Sequence, residues 1–297
     1  MRIQNILALT DFSIQAEHGL DRAAALAAAH GARLRILYAC ETPPLQLSDP
    51  MARLDQRARQ LARRHGVEVG TIGGTGRLLE DGLTEAAHAD LLVAHGRMYR
   101  DGYVLPRRQL LYPLLRRSPC PVLVVQRPWL GAYARVLVSV DFCAASRPLV
   151  RYAGNLEAGA ALELFHAIDT HDEARLRSAE ASTAAVQAYR REVQQYAQQQ
   201  LYRLSDVFEA RRNRVGTLIG RGDAVRHLTV QQERIGADLV VLGQERRSWL
   251  IDWVRGSVPR KLLSGGLQSD LLVVPHDCLG VWQDGRQPAS PTGRLPA

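Results

Sequence analysis

Little in this 297-residue chain points to covalent staples or to a membrane. It has four cysteines, Cys40, Cys120, Cys143 and Cys278, with no CxxC pair among them. That spacing suggests neither a disulfide framework nor a zinc site, and the default expectation is a reducing cytoplasm. No apolar run approaches the roughly 18 to 20 residues that cross a bilayer. The opening Met1–Asp11 stretch is too short in its apolar part for a secretory signal and reads as a strand. Aromatic residues are only 6%, which argues against an all-β sandwich and for Ala- and Leu-rich helices packed on a sheet. No spacing assembles a Ser-His-Asp or Cys-His arrangement, so no catalytic residue is assigned.

What is present is a formal charge of +8, carried almost entirely by arginine. The arginines are spread over many helical stretches, and the denser groups, such as Arg63-Arg64, sit late in them, where cations suit the helix dipole. Nucleic acid is therefore not the expected partner.

The chain repeats itself. Asn5–Ser13 matches Arg135–Cys143, each an apolar strand ending in Asp-Phe and a small residue. Gly31–Ala39 matches Gly159–Ala167, Ala89–Val93 matches Ala237–Val241, and Cys120–Val125 matches Ser269–Val274. Four blocks in one order indicate a duplication. The offset grows from 130 residues at Asp11 and Asp141 to 149 at the last block, which places extra residues in the helix-like stretch from Glu173 to Arg212. Continuous apolar strands alternating with helical segments predict an α/β fold with a parallel sheet covered on both faces. Ligands of such sheets bind at the carboxyl ends of the strands, where Asp11 and Asp141 fall. Domains are expected over 1–128 and 133–275, joined through Gln126–Ala132, with a disordered tail over 276–297.

These blocks resemble the universal stress protein family, in tandem, from Arg2 to Pro275. The resemblance implies two open parallel-sheet domains of the adenine-nucleotide α-hydrolase, Rossmann-like type. ATP-binding members carry a loop, Gly-x2-Gly-x9-Gly-Ser/Thr, whose glycines let backbone amides approach phosphate. The second copy has Gly243 and then Gly256-Ser257 at that spacing, with Arg246 in place of the second glycine and Glu245 beside it. Carried over residue by residue, the nucleotide pocket comprises Asp141, Ala167, Gly243, Arg246, Gly256, Ser257 and Val258. The ligand implied is ATP or AMP with magnesium. The first copy has lost the loop and is expected to serve as a structural partner. The two copies are expected to pair within the chain, Val122–Val125 against Leu271–Val274, and a homodimer is a further expectation of the resemblance.

Other clusters read as ordinary structure. Ser264–Ser269 precedes the last strand and reads as a turn, and Gly73–Gly76 and Gly220–Asp223 as strand-to-helix turns, with Asp223 a helix cap. His166, Asp169, His171 and Asp172 read as a solvated loop rather than a metal site, and His88 with His95 offers less still. The leading functional expectation is a stress-linked sensor or regulator that binds an adenine nucleotide in its C-terminal half and is not an enzyme, slow hydrolysis aside. The alternative is a protein with two degenerate pockets that works as an interaction module. A third, an ATP-consuming enzyme, needs catalytic residues that the sequence does not show.

Overall fold

A computed structural model describes residues 3–38, 49–96, 111–206, 214–245 and 258–279. The first copy runs β1 Asn5–Thr10, α1 Ile14–His30, β2 Arg33–Tyr38, α2 Pro50–His65, β3 Val69–Ile72, α3 Leu78–Ala86, β4 Leu91–His95, α4 Leu111–Arg117 and β5 Val122–Val125. The second runs β6 Arg135–Ser139, α5 Ser146–Leu156, β7 Ala161–Ile168, α6 His171–Ser178, α7 Thr183–Ser205, β8 Val215–Arg221, α8 Ala224–Ile235, β9 Leu239–Gln244, α9 Val258–Ser264 and β10 Asp270–Pro275. The extra residues of the second copy form α6 and α7, where the first copy has α2.

The described strands form one ten-stranded sheet in the order β3-β2-β1-β4-β5-β10-β9-β6-β7-β8. Neighbours within each half are parallel. The halves join where β5 and β10 run antiparallel, with Leu272 opposite Leu123 and Val273 opposite Val122. Each closing strand covers the other's open edge, which an exposed apolar strand requires.

Strand alternation explains the apolar runs. Ile6 and Ala8 of β1, Val136 and Val138 of β6, and Leu272 and Val274 of β10 enter one core layer, together with the buried faces of α1, α2 and α5. Leu7, Leu9, Leu137, Leu271 and Val273 enter the opposite layer, under α3, α4, α8 and α9. The central strands β1, β4, β5, β6, β9 and β10 are buried on both faces, which is why they read as near-continuous apolar runs. Each such side chain contributes about 1.5–3 kcal/mol on burial. Alanine at 16, 23, 24 and 27 is fully buried and lets α1 lie close on the sheet.

The repeated Ala-Asp-Leu motif has a physical role. Asp90 accepts from the amides of Gln4 and Asn5, and Asp238 accepts from those of Ala134 and Arg135. Each carboxylate thus fixes the start of the strand beside its own. The Asp-Phe motif is also explained. Asp11 accepts from the Ser13 amide and Asp141 from the Cys143 amide. The phenylalanine between them is left-handed in both copies, with φ 62° at Phe12 and at Phe142. Such backbone is uncommon for a residue with a Cβ and collects at functional turns.

The remaining motif readings hold, with one change. Asp223 caps α8 by accepting from Arg226 N, and Gly266, at φ 78°, turns the chain from α9 into β10. The tail expected to be disordered from His276 begins with a 3-10 helix, His276–Leu279, packed against the sheet through Leu279. Residues 280–297 lie outside the described residues, as does the first-copy stretch 97–110 where the phosphate loop is missing.

Candidate functional site

A cavity of about 240 Å³ opens over the carboxyl ends of β6, β7 and β9. Strand β6 continues to β7 on one side and is flanked by β9 on the other, so the chain winds away in both directions. This reversal leaves a crevice between the loops, the usual ligand position of open α/β sheets. Asp141 comes from the end of β6, Ala167 from β7, Gly243 from β9 and Val258 from the start of α9, and all four line the cavity. Four of the seven sequence-assigned residues are thus brought together. The other three, Arg246, Gly256 and Ser257, lie outside the described residues.

Asp141 is held in place by two hydrogen bonds to Oδ1, from the Cys143 amide at 3.1 Å and the Ser146 hydroxyl at 3.0 Å. Burial alone pushes its carboxyl up, but these bonds and the His276 ring outweigh burial and hold it below its ordinary value. Asp141 therefore faces the cavity as an anion. His166 stacks on Phe142, ring centroids 4.0 Å apart, and its Nδ1 lies 2.8 Å from the Val140 carbonyl. Burial pushes the His166 imidazole pKa down, against the pull of Val140 and Asp141. The first copy stacks Phe12 on Tyr38 at the corresponding place, 4.8 Å apart.

The sequence reading missed His276. Its ring lines the cavity from beyond β10 and lies against β9, so that a Cβ on Gly243 would sit 2.7 Å from Nε2. Gly243 thus lets the His276 ring lie close against β9, and a side chain at 243 would have to displace that ring. No local signal marks His276, because it stands in a polar tail after the last strand. Asp141, Cys143 and His276 each offer a ligand atom within 4.8 Å of the others. The sequence cluster of His166, Asp169, His171 and Asp172 forms no such group among the described residues. Asp169 instead accepts from the His171 amide at the start of α6.

In the first copy the site is built differently. The β4 residue matching Gly243 is His95, 1% exposed, with Nε2 3.4 Å from Asp11 Oδ2. The contact is outside hydrogen-bond geometry, and neither ring nitrogen has a hydrogen-bond partner among the described residues. Burial raises the Asp11 carboxyl, but His95 and Ser13 together bring it down to about 2. An imidazole thus occupies the space beside the strand-end aspartate.

The fold and the cavity define a tandem pair of Rossmann-like domains with a switch-point crevice in the second. The sequence profile of the universal stress protein family matches residues 2–126 and again 132–275, and the chain belongs to that family. Among solved structures, it is similar to a universal stress protein from Archaeoglobus fulgidus DSM 4304, at 15% identity and TM-score 0.65, covering 92% of this chain and 97% of that one. It is also similar to a functionally unknown protein from Pseudomonas aeruginosa PAO1, at 21% identity and TM-score 0.62, covering 93% and 94%. No curated protein matches the chain.

Proposed function

We propose that the C-terminal half binds an adenine nucleotide in the cavity over Asp141, Ala167, Gly243 and Val258, and that the chain acts in the stress response as a sensor or regulator. The observation that carries this reading is the cavity itself, sited at the topological switch point of β6 and β9. Its volume of about 240 Å³ lies below the roughly 300–1,000 Å³ of sites that enclose a whole drug-sized ligand. The enclosed part suits a base and ribose, with the phosphates directed past Gly243. In this reading Asp141 accepts from ligand hydroxyl or amino groups. Ala167 leaves room for a flat ring, and Gly243 and Val258 begin and end the phosphate stretch. Magnesium would come with the phosphates, and no described residue is assigned to it. No side chain is assigned a catalytic role, so the nucleotide is read as a signal rather than a substrate.

One observation favours the second reading, a degenerate pocket in an interaction module. The His276 ring covers the Gly243 backbone, the surface that a phosphate would use. Isothermal titration of the full-length protein with ATP separates the two, with Ala167→Trp filling the cavity as control. Saturable binding that the control abolishes is the expected result. No binding to the intact chain would leave the degenerate-pocket reading.

A further inference from the structure

The second copy differs from the first at two positions that meet in space. Ser13 follows the Asp-Phe turn of the first copy and caps α1, accepting from Ala16 N. Its counterpart is Cys143, and α5 has no side-chain cap at all. The thiol has therefore lost the helix-capping work of the residue it matches. Cys143 is exposed, and the left-handed Phe142 turns its own ring away to His166 while Asp141 and Cys143 stand side by side. The second difference is His276, which follows β10 where the first copy continues into the linker with Arg127. Its ring is brought to the same place by its packing on Gly243.

We propose that Asp141, Cys143 and His276 form a binding site for a divalent d-block cation of the zinc class, on the rim of the C-terminal cavity, with its fourth position open to that cavity. The ligand atoms lie within 4.8 Å of one another. Bonds of about 2.0–2.3 Å at tetrahedral angles set ligand atoms roughly 3.6 Å apart, so closure takes rotamer adjustments near 1 Å. The donor set of one thiolate, one imidazole and one carboxylate carries two negative charges. It selects zinc, cobalt or copper over magnesium and calcium, which take oxygen ligands. The Ser146 hydroxyl donates to Asp141 Oδ1 at 3.0 Å and lies 4.0 Å from Cys143 Sγ, next to both of these proposed ligands. Such outer hydrogen bonds orient metal-binding carboxylates. The open fourth position takes water or a donor atom of whatever occupies the cavity. This site stands whether or not the cavity takes a nucleotide.

The test uses tag-free, metal-stripped full-length protein, titrated with cobalt(II) alone and then with zinc(II) against a chromophoric chelator, without nucleotide. The expected result is one equivalent of cobalt, with a thiolate-to-cobalt charge-transfer band that zinc abolishes. Cys143→Ser removes the band, and Cys143→Ser, His276→Ala and Asp141→Asn each weaken zinc by about 10-fold or more. Cys278→Ser leaves both unchanged, because its sulfur donates to the Pro119 carbonyl and is not among the clustered ligand atoms. Circular dichroism confirms that each variant is folded, and the exposed Cys143 makes its serine variant the safest. No stoichiometric band in the intact protein, or a band and affinity that survive Cys143→Ser, would overturn the proposal.

Discussion

Tyr133 donates a 2.7 Å hydrogen bond to Asp270 Oδ2, and this contact locks the linker to the last strand of the sheet. The Arg22 guanidinium lies 4.0 Å over the Tyr133 ring, and its Nε is 3.6 Å from the same carboxylate. Arg22 also donates to the Gly131 carbonyl, while Asp270 Oδ1 accepts from the Gln126 amide at 2.8 Å. One buried carboxylate thus ties α1 of the first half, the linker and β10 of the second. Burial pushes the Asp270 carboxyl above its ordinary range despite these partners, and it pushes the Tyr133 hydroxyl well up. Asp270→Ala leaves Arg22 buried without its counter-charge and is expected to cost about 3–5 kcal/mol. Tyr133→Phe, which removes one donor, is expected to cost about 1–3 kcal/mol. Urea unfolding of both variants checks the order.

The Asp11–His95 pair gives the first half an acid-side stability slope. Asp11 has its pKa lowered to about 2 in the fold, from an ordinary value of 3.8. A lowered carboxylate contributes stability above its unfolded pKa and loses it as pH falls through the folded one. The contribution, about 1–2 kcal/mol after solvent screening, is therefore expected to disappear between about pH 4 and pH 2. Asp11→Asn should flatten this part of the stability–pH curve. An unchanged slope would show that the Asp11 carboxylate does not carry it.

Gly243 and His276 are expected to be coupled. A methyl at position 243 would meet Nε2 at 2.7 Å and Leu149 Cδ2 at 3.3 Å. Gly243→Ala should therefore destabilise by about 1–3 kcal/mol through overpacking. Adding His276→Ala should restore a large part of the loss. A double-mutant cycle on thermal unfolding measures the coupling, and additive losses would mean that the ring is not what limits position 243.

Glu173 binds three arginines: Arg177 at 3.0 Å, Arg221 at 2.5 Å, and Arg190. The hydrogen bond from Arg190 leads in bringing its carboxyl down to about 2, with Arg221 adding to it. The cluster joins α6 and α7, which hold the extra residues of the second copy, to the end of β8. Glu173→Gln is expected to speed amide exchange in α6 and α7 while leaving β6 and β9 protected. Uniform exchange across the chain would contradict a local role.

The antiparallel seam should be a shared element of both halves. Leu123 and Leu272 face each other across it and are fully buried. Leu272→Ala is expected to cost about 2–5 kcal/mol. The intact protein is expected to unfold in one calorimetric transition and the variant in two.

The duplication and the α/β class were legible because each depends on local patterns. Apolar runs mark strands buried on both faces, and Gly-Ala turns and helix caps mark their limits. Asp141, Ala167, Gly243 and Val258 could be assigned to one site only through the resemblance to the universal stress protein family, carried over position by position. The pairing of β5 with β10 was implied by the resemblance, and the structure shows it as an antiparallel seam. What only the tertiary structure decided is which distant side chains share a space. His276 reaches Asp141 and Cys143 from a polar tail, His95 occupies the place beside Asp11, and Arg22 meets Asp270 from the other half of the chain. Sequence periodicity records the face on which a residue lies. It does not record the neighbour that long-range strand order places against it, and in this protein that order sets the charge, the packing and the ligand atoms of the site.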